Sequence, residues 1–200
     1  DICLNNPNIS DGSNLNLDKN KLTFTYIGLR GFYKNFISLI EAIYIFSENK
    51  KELEINLEIV GGGKLSIFEK DLLNKLNIKY YHHENINNYE LNQVLIRTNL
   101  FLHSSYYEGF GITVLEAMAL RVPILAVDIP AVREIAKESI FYANNSSSLA
   151  ISQAINYFYK TPNSSLKKKV KKAYLISRTF SWENVAIKHL ELYDQILEEQ

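Results

Sequence analysis

The chain has 200 residues, enough for one substantial domain with a buried core. With 46% apolar and 22% charged residues, its composition excludes a disordered chain and a membrane-spanning one. Its 22 basic residues balance 22 acidic ones, so no net charge attracts nucleic acid. The single cysteine, Cys3, is typical of a reducing compartment, and we expect a cytoplasmic protein.

Segments of strand and helix character alternate along most of the chain. Residues 1–20 are rich in Asn, Ser and Asp and predict a linker or an arm. After them, short β-rich runs alternate with apolar residues at helical spacing. The predicted strands are LTFTYIG (22–28), INLEIVGGG (55–63), IKYYH (78–82), NLFLHSS (99–105), PILAV (123–127) and SIFYA (139–143). The predicted helices cover 35–47, a segment containing Leu72, Leu73 and Leu76, then 89–97, 112–120, 131–136, 147–159, 164–177 and 182–198.

This alternation predicts an α/β fold, a Rossmann-like, doubly wound parallel sheet of about six strands followed by C-terminal helices. Helices between parallel strands cover both faces of such a sheet. Ligands then bind outside the carboxyl ends of the strands. Candidate site residues are therefore expected in the loops that follow the strands.

The loop after the fourth predicted strand contains the motif YEGFGITVLE (107–116). Its glycines let the backbone approach a ligand closely, and the helix that follows offers unpaired amides to an anion. Glu108 and Glu116 stand at the two ends of this turn, where carboxylates accept hydrogen bonds from vicinal hydroxyls. Each Glu alone is more simply a surface acid, but the strand and glycine context favours a ligand-binding role.

The surrounding segment, HSSYYEGFGITVLEAMALRVPILAVDIPAVREI (103–135), resembles the signature of family 4 (group 1) retaining glycosyltransferases, which use nucleotide sugars and have the two-domain GT-B fold. Both have a Glu, seven intervening residues and a second Glu, followed by a strand that starts with Val-Pro. The resemblance extends to YIGLRGFYKNF (26–36), LEIVGGG (57–63), residues 87–105 and FSWENVA (180–186).

The resemblance implies that this chain is the C-terminal, donor-binding half of such an enzyme. Residues 21–180 would bind the nucleotide sugar, and residues 181–200 would form a helix that packs toward an N-terminal domain. A sugar would pass from a UDP- or GDP-sugar to an acceptor hydroxyl with retention, without a metal or other cofactor. The acceptor, a glycan or a lipid-linked molecule, would bind mainly to the N-terminal domain, in polysaccharide, lipopolysaccharide or glycolipid synthesis.

The resemblance also assigns roles within the motif. Glu108 would act in catalysis by contacting the hydroxyls of the donor sugar, and Glu116 would hold the ribose hydroxyls. Leu115 would pack near the ribose. The diphosphate would be lined by the amides of Gly109, Phe110 and Gly111.

Basic residues follow the first predicted strand, on the expected ligand edge. Gly28 closes the strand, Arg30 offers a planar fork for phosphate oxygens and Lys34 offers a mobile charge. By resemblance, Arg30 and Lys34 would be catalytic, because they would neutralise the departing diphosphate. The alternative, two solvated basic residues, is disfavoured because positive charge at a helix start opposes the helix dipole.

Weaker signals lie near the second and third predicted strands. The Gly61–Gly63 run is only a turn by itself, but the resemblance implies that Gly62 lies beside the nucleotide. It also implies that Tyr81 and His82 edge the base pocket. A metal site at His82-His83-Glu84 is disfavoured, since adjacent side chains of a strand point in opposite directions. His103 is predicted to be structural.

Two further alternatives stay open. The lysine cluster at 167–172 could bind anionic lipid, which would place the protein at the inner face of the membrane, but a solvated helix face is favoured. The chain could also be a non-catalytic nucleotide-binding module, or a GT-B sugar-nucleotide epimerase. Retention of Glu108, Glu116 and Lys34 favours the transferase.

Overall fold

The computed structural model describes residue 18 and residues 20–198, and it contains one six-stranded parallel sheet. The strands are Lys21–Ile27 (β1), Glu54–Val60 (β2), Lys79–His83 (β3), Leu100–His103 (β4), Ile124–Val127 (β5) and Phe141–Ala143 (β6). Their order in the sheet is β3-β2-β1-β4-β5-β6, and every neighbouring pair is parallel. The predicted doubly wound, Rossmann-like sheet is therefore confirmed.

Helices connect the strands and cover both faces of the sheet. They are Phe36–Ser47 (α1), Ile67–Lys75 (α2), Asn88–Ile96 (α3), Ile112–Ala119 (α4), Pro130–Ala136 (α5), Ser148–Lys160 (α6), Asn163–Ser177 (α7) and Trp182–Glu198 (α8). Helix α1 packs on α6, whereas α4 and α5 pack on α7, so the C-terminal helices close the core on either side. Among the described helices, none has the length and apolarity needed to cross a bilayer.

Glycines end the first two strands earlier than the apolar runs suggest. Gly28 has φ 128° and Gly61 has φ 76°, conformations in which a glycine carries no steric cost. The strands therefore stop at Ile27 and Val60, and the chain turns into the loops at the carboxyl edge. Helices α2 and α3 then start at capping boxes, Ser66 with Glu69 and Asn87 with Glu90.

The strand order reverses between β1 and β4, and the two strands separate at this point. They pair at Phe24–Leu100 and Thr25–Phe101, but the pairing does not extend to the last two residues of either strand. The chain leaves β1 toward β2 and leaves β4 toward β5, in opposite directions along the sheet. A doubly wound sheet binds ligands in a crevice at such a switch point. We call the carboxyl edge between β1 and β4 the crevice.

Helix α8 is exposed along its length, including its apolar residues. Trp182 is 65% exposed, and Leu190 and Leu197 are also exposed. Its predicted packing toward an N-terminal domain stays a prediction. The predicted linker at residues 1–20 lies almost wholly outside the described residues, apart from Asp18 and Asn20.

A short 3-10 helix, Phe32–Lys34, joins β1 to α1 through Asn35. Asn35 is buried with φ 55° and ψ 37°, and its side-chain amide donates to the carbonyl of Ser146 at 2.7 Å. A left-handed conformation is disfavoured for most residues but tolerated by Asn. The position of Lys34 therefore depends on the conformation of the residue that follows it.

Substituting Asn35 tests this turn. Both Asn35→Ala and Asn35→Gly lose the bond to Ser146, but only Ala places a β-carbon in the left-handed region. We expect Asn35→Gly to be more stable than Asn35→Ala by about 1 kcal/mol in the free energy of unfolding. Urea denaturation measures the difference, and equal stability of the two variants would contradict the assignment.

Candidate functional site

Three loops meet at the carboxyl edge of the sheet, around the crevice between β1 and β4. They follow β1, β2 and β4 and contain Arg30 and Lys34, the Gly61–Gly63 run, and Glu108. Two hydrogen bonds join the first loop to the third: Ser104 Oγ donates to the carbonyl of Lys34 at 2.7 Å, and the amide of Tyr106 donates to the carbonyl of Tyr33 at 2.8 Å. The loop after β1 is therefore fixed to the loop after β4.

The side chain of Glu108 is the centre of this junction. Its Oε1 accepts from Lys34 Nζ at 2.6 Å, from Ser105 Oγ at 2.7 Å and from His103 Nε2 at 3.0 Å. Burial opposes ionisation of Glu108, but these three donors outweigh it and lower its pKa to about 2. Glu108 is therefore a fixed negative charge at neutral pH, and its Oε2 has no partner among the described residues.

His103 and Ser105 are parts of the site whose role the sequence did not reveal. His103 is buried at the end of β4, and its second ring nitrogen, Nδ1, is buried without a hydrogen-bond partner among the described residues. Ser105 is also buried, three residues before Glu108. The signal in the sequence is their place at the end of a strand, immediately before an acidic loop residue.

Glu116 differs from Glu108 in having no partner. Its side chain is half-buried on α4, and no hydrogen bond or ion pair of its carboxylate is present among the described residues. Burial alone raises its pKa. Hydroxyl donors from a ligand would stabilise the charged form. Leu115, beside it, is a buried residue of the hydrophobic core, so the structure does not bring its side chain to the surface of the crevice.

The turn between the two carboxylates presents unused amides. Gly111 is the N-cap of α4 and has φ 104°, a conformation that favours glycine. Among the described residues, the amides of Gly109, Phe110 and Gly111 donate to no backbone carbonyl. Gly109 and Phe110 are exposed, and the ring centroids of Phe110 and Phe180 are 6.0 Å apart. Free amides at a helix start suit an anion.

Arg30 points at the loop after β2 and is almost fully enclosed. Its side chain is only 5% exposed, and its Nε donates to Glu69 Oε1 at 2.9 Å. Its terminal nitrogens donate to four consecutive carbonyls at 2.6–3.1 Å, those of Gly61, Gly62, Gly63 and Lys64. The alternative interpretation, in which Arg30 is a solvated basic residue, is therefore wrong. Contact with a diphosphate stays a prediction, and it would require Arg30 to leave these acceptors.

Three of the four carbonyls bound to Arg30 belong to glycines, Gly61–Gly63, and all three have positive φ. At Gly62 a β-carbon would lie 2.5 Å from Arg30 Nη1 and 2.7 Å from the carbonyl oxygen of Gly28. Only glycine fits there. The amides of Gly62 and Gly63 donate to no backbone carbonyl among the described residues. The carbonyls of this loop therefore accept from Arg30, while these two amides can donate to a ligand.

Tyr81 and His82, expected at the base pocket, lie on β3. Tyr81 lines a surface groove with residues such as Thr23 and Glu58, and Glu108 is not part of that groove. His82 Nε2 is buried and has no hydrogen-bond partner in the part of the chain that the structure describes. His83 Nε2 donates to Glu58 Oε2 at 2.5 Å. Among the described residues, no three His, Cys, Asp or Glu side chains converge as a metal site would require.

The lysine cluster lies on α7 and is not uniformly solvated. Lys169 Nζ donates to the carbonyls of Glu138 and Ile140 at 3.0 and 2.9 Å and so holds α7 against the start of β6. Lys168, Lys171 and Lys172 are exposed. The two interpretations of this cluster, lipid contact and a solvated face, stay predictions.

Residues 10–175 match the family described as Glycosyl transferases group 1. The chain belongs to this family. The match covers the whole sheet and the loops that follow β1, β2 and β4.

Relatives with similar sequences include two bacterial mannosyltransferases. Serotype-specific mannosyltransferase WbdA of Escherichia coli is 31% identical over 81 residues, which are 40% of this chain and 10% of WbdA. O-antigen chain mannosyltransferase RfbU of Salmonella typhimurium is 28% identical over 145 residues, 70% of this chain and 39% of RfbU. The chain therefore spans well under half the length of these relatives.

Solved structures share the fold of this group 1 domain. Sucrose-phosphate synthase from Thermosynechococcus elongatus superposes with a TM-score of 0.78 at 21% identity, covering 100% of this chain and 51% of that one. The catalytic domain of cholesterol-α-glucosyltransferase from Helicobacter pylori gives 0.65 at 19% identity, covering 80% of this chain and 99% of that one. The predicted half of a GT-B fold is confirmed.

Replacing Arg30 with Lys tests how the glycine loop is held. Lys keeps the charge opposite Glu69 but cannot donate to four carbonyls and a carboxylate in one plane. We expect Arg30→Lys to lower the free energy of unfolding by about 2 kcal/mol. Urea denaturation measures it, with Arg178→Lys at an exposed position as the matched control, expected within about 0.5 kcal/mol of the wild type. Equal midpoints for both variants would count against this role.

The low pKa of Glu108 predicts a pH dependence of stability. A carboxylate whose pKa falls from 4.5 to about 2 on folding stabilises the protein above pH 4.5, and the contribution disappears as the pH falls toward 2. Glu108→Gln should therefore be less stable than the wild type at neutral pH. This difference in the free energy of unfolding should shrink as the pH falls from 4.5 to about 2. Unfolding curves across this range measure it, and a constant difference would show that the charge is not involved.

Proposed function

We propose that this chain binds a nucleoside-diphosphate sugar, UDP- or GDP-linked, and presents it for transfer to an acceptor hydroxyl in glycan synthesis. The observation that carries the proposal is the half-buried carboxylate of Glu116, which has no partner among the described residues and belongs to the helix that the free amides of Gly109, Phe110 and Gly111 precede. Family membership and the similarity to two mannosyltransferases support the same class of reaction.

The arrangement of charges supports a direction for the donor. Vicinal hydroxyls of a ribose would donate to Glu116 and would offset the cost of its ionisation. The diphosphate would then lie over the amides of Gly109, Phe110 and Gly111, at the positive end of α4. The sugar would reach Glu108, whose Oε2 is free to accept from its hydroxyls.

Lys34 is the cation of this site that stands closest to the place where charge develops. Its ammonium lies 2.6 Å from Glu108 Oε1, and its side chain is 18% exposed, so a ligand can still reach it. As the bond between the anomeric carbon and the phosphate oxygen breaks, negative charge grows on the leaving diphosphate. Lys34 and the helix-end amides would stabilise that charge, as preorganised donors do in electrostatic catalysis.

We propose transfer with retention, in which the diphosphate leaves and the acceptor attacks on the same face of the sugar. The acceptor oxygen would bond to the anomeric carbon on the face that the diphosphate leaves, and its proton would pass to the departing phosphate oxygen. The positive charge in this scheme comes from Lys34 and backbone amides, so we propose that no metal or other cofactor takes part. The acceptor would be a glycan or a lipid-linked molecule, held mainly by an N-terminal domain.

Donor binding tests the proposal directly. UDP- and GDP-sugars, including the mannose forms, are titrated into the 200-residue chain by calorimetry. We expect Glu116→Ala and Lys34→Ala each to weaken binding by about tenfold or more, because each removes a charged hydrogen-bonding group.

Exposed positions of the same residue types give the matched controls for that titration. Glu183→Ala on α8 and Lys168→Ala on α7 should leave the affinity unchanged. The proposal would be contradicted if no nucleotide sugar bound, or if neither Glu116→Ala nor Lys34→Ala changed the affinity. Either result would favour a non-catalytic module. Release of a free epimerised sugar would indicate an epimerase.

A further inference from the structure

Four aromatic rings stand beside the Lys34–Glu108 pair, on the two loops that meet at the crevice. We call Phe32, Tyr33, Tyr106 and Tyr107 the aromatic cluster. Phe32 is 90% exposed and Tyr107 is 64% exposed. Other exposed rings, such as Phe68, Tyr89 and Tyr157, lie on helices, whereas these four lie together on two loops. Clustered exposed apolar surface marks an interaction site.

The rings are paired across the two loops. Tyr33 and Tyr107 stack with centroids 5.1 Å apart and planes 24° apart, and Phe32 lies 5.6 Å from Tyr106. The backbone hydrogen bond from Tyr106 to Tyr33 fixes the register between the loops. Each pair therefore places one ring of each loop side by side, and the surface they form is preorganised.

The aromatic cluster is continuous with the charged centre of the site. Lys34 Nζ lies 5.1 Å from the centroid of the Tyr33 ring, on the same side chain that reaches Glu108 at 2.6 Å. A molecule that approached Glu108 from the exposed side of Lys34 would meet these rings first. The cluster thus borders the place where, by the proposed function, the donor sugar reacts.

We propose that the aromatic cluster is a stacking subsite for a pyranose ring of the acceptor glycan, an inference that rests on the proposed function. One face of a pyranose carries C–H groups, which pack on the face of an aromatic ring, while its hydroxyls point outward to polar groups. Tyrosine suits such a ligand because its ring is apolar and its hydroxyl can hydrogen-bond. The rings themselves are uncharged, and the ammonium of Lys34 beside them is paired with Glu108, so a neutral sugar fits better than an anionic surface.

This subsite gives the donor-binding half a share in choosing the acceptor. The sugar that stacks on the cluster lies next to the reacting centre, so its shape determines which hydroxyl faces the anomeric carbon. Loss of the rings should weaken acceptor binding without affecting the nucleotide, which is held at the Glu116 end.

Saturation-transfer NMR tests the subsite on the 200-residue chain. The probes are the methyl α-pyranosides of mannose, glucose and galactose, each added with a saturating nucleoside diphosphate that binds in the calorimetric screen. We expect transfer from the protein to at least one pyranoside. The double variant Phe32→Ala/Tyr107→Ala should lower the signal about tenfold. Tyr89→Ala, an exposed tyrosine on α3, is the matched control and should leave it unchanged.

The outcomes separate this inference from the proposed function. The affinity of the double variant for nucleotide sugars should equal that of the wild type. The affinity of Lys34→Ala should be about tenfold lower or more. Nucleotide-sugar binding with no pyranoside signal, or a signal that the double variant keeps, would overturn the subsite alone. No nucleotide-sugar binding by the wild type would overturn the proposed function. A wild type that dimerises in sedimentation while the double variant is monomeric would make the cluster a contact between copies and would also overturn the subsite.

Discussion

One carboxylate oxygen joins the two halves of the sheet at the point where they diverge. Glu108 Oε1 accepts from Lys34 on the loop after β1 and from His103 and Ser105 on the β4 side, although Lys34 is 74 residues away in sequence. Burying a carboxylate is unfavourable unless donors surround it, and here three of them do. The same contacts that stabilise the junction therefore fix the charge that the crevice presents to a ligand.

The two glutamates of the motif have opposite environments. Glu108 is saturated on one oxygen and strongly acidic, whereas Glu116 is half-buried, unpartnered and a weaker acid than usual. Pairs of titratable groups held in such different states are typical of functional sites. Between them lie amides that have no backbone acceptor among the described residues, so the segment 108–116 combines a fixed anion, an unpaired anion and positive backbone dipoles.

Periodicity was sufficient to predict the fold, because β-rich runs alternate with amphipathic helices and glycines mark the strand ends. Since parallel strands share one carboxyl edge, the topology also predicted that the loops with Lys34 and Glu108 would lie at that edge. Other contacts depend on conformations that residue types do not specify. The carbonyls of Gly61–Gly63 converge on Arg30 because all three φ angles are positive. The side chain of His103 reaches Glu108 because of the conformation of the loop after β4, which the residue types do not specify. The resemblance implies that Leu115 packs near the ribose, which stays a prediction, and the structure shows its side chain buried in the core.

The exposed start of α8 has a spectroscopic consequence. Trp182 is the only tryptophan in the chain, so its emission reports on one position alone, the first residue of that helix. In this structure its indole is mostly in water, where emission is red-shifted. Any partner that covered α8, whether a neighbouring domain or a bilayer, would shift the emission to the blue while the crevice stayed unaltered. The chain thus contains an intrinsic optical label for whatever packs against its last helix.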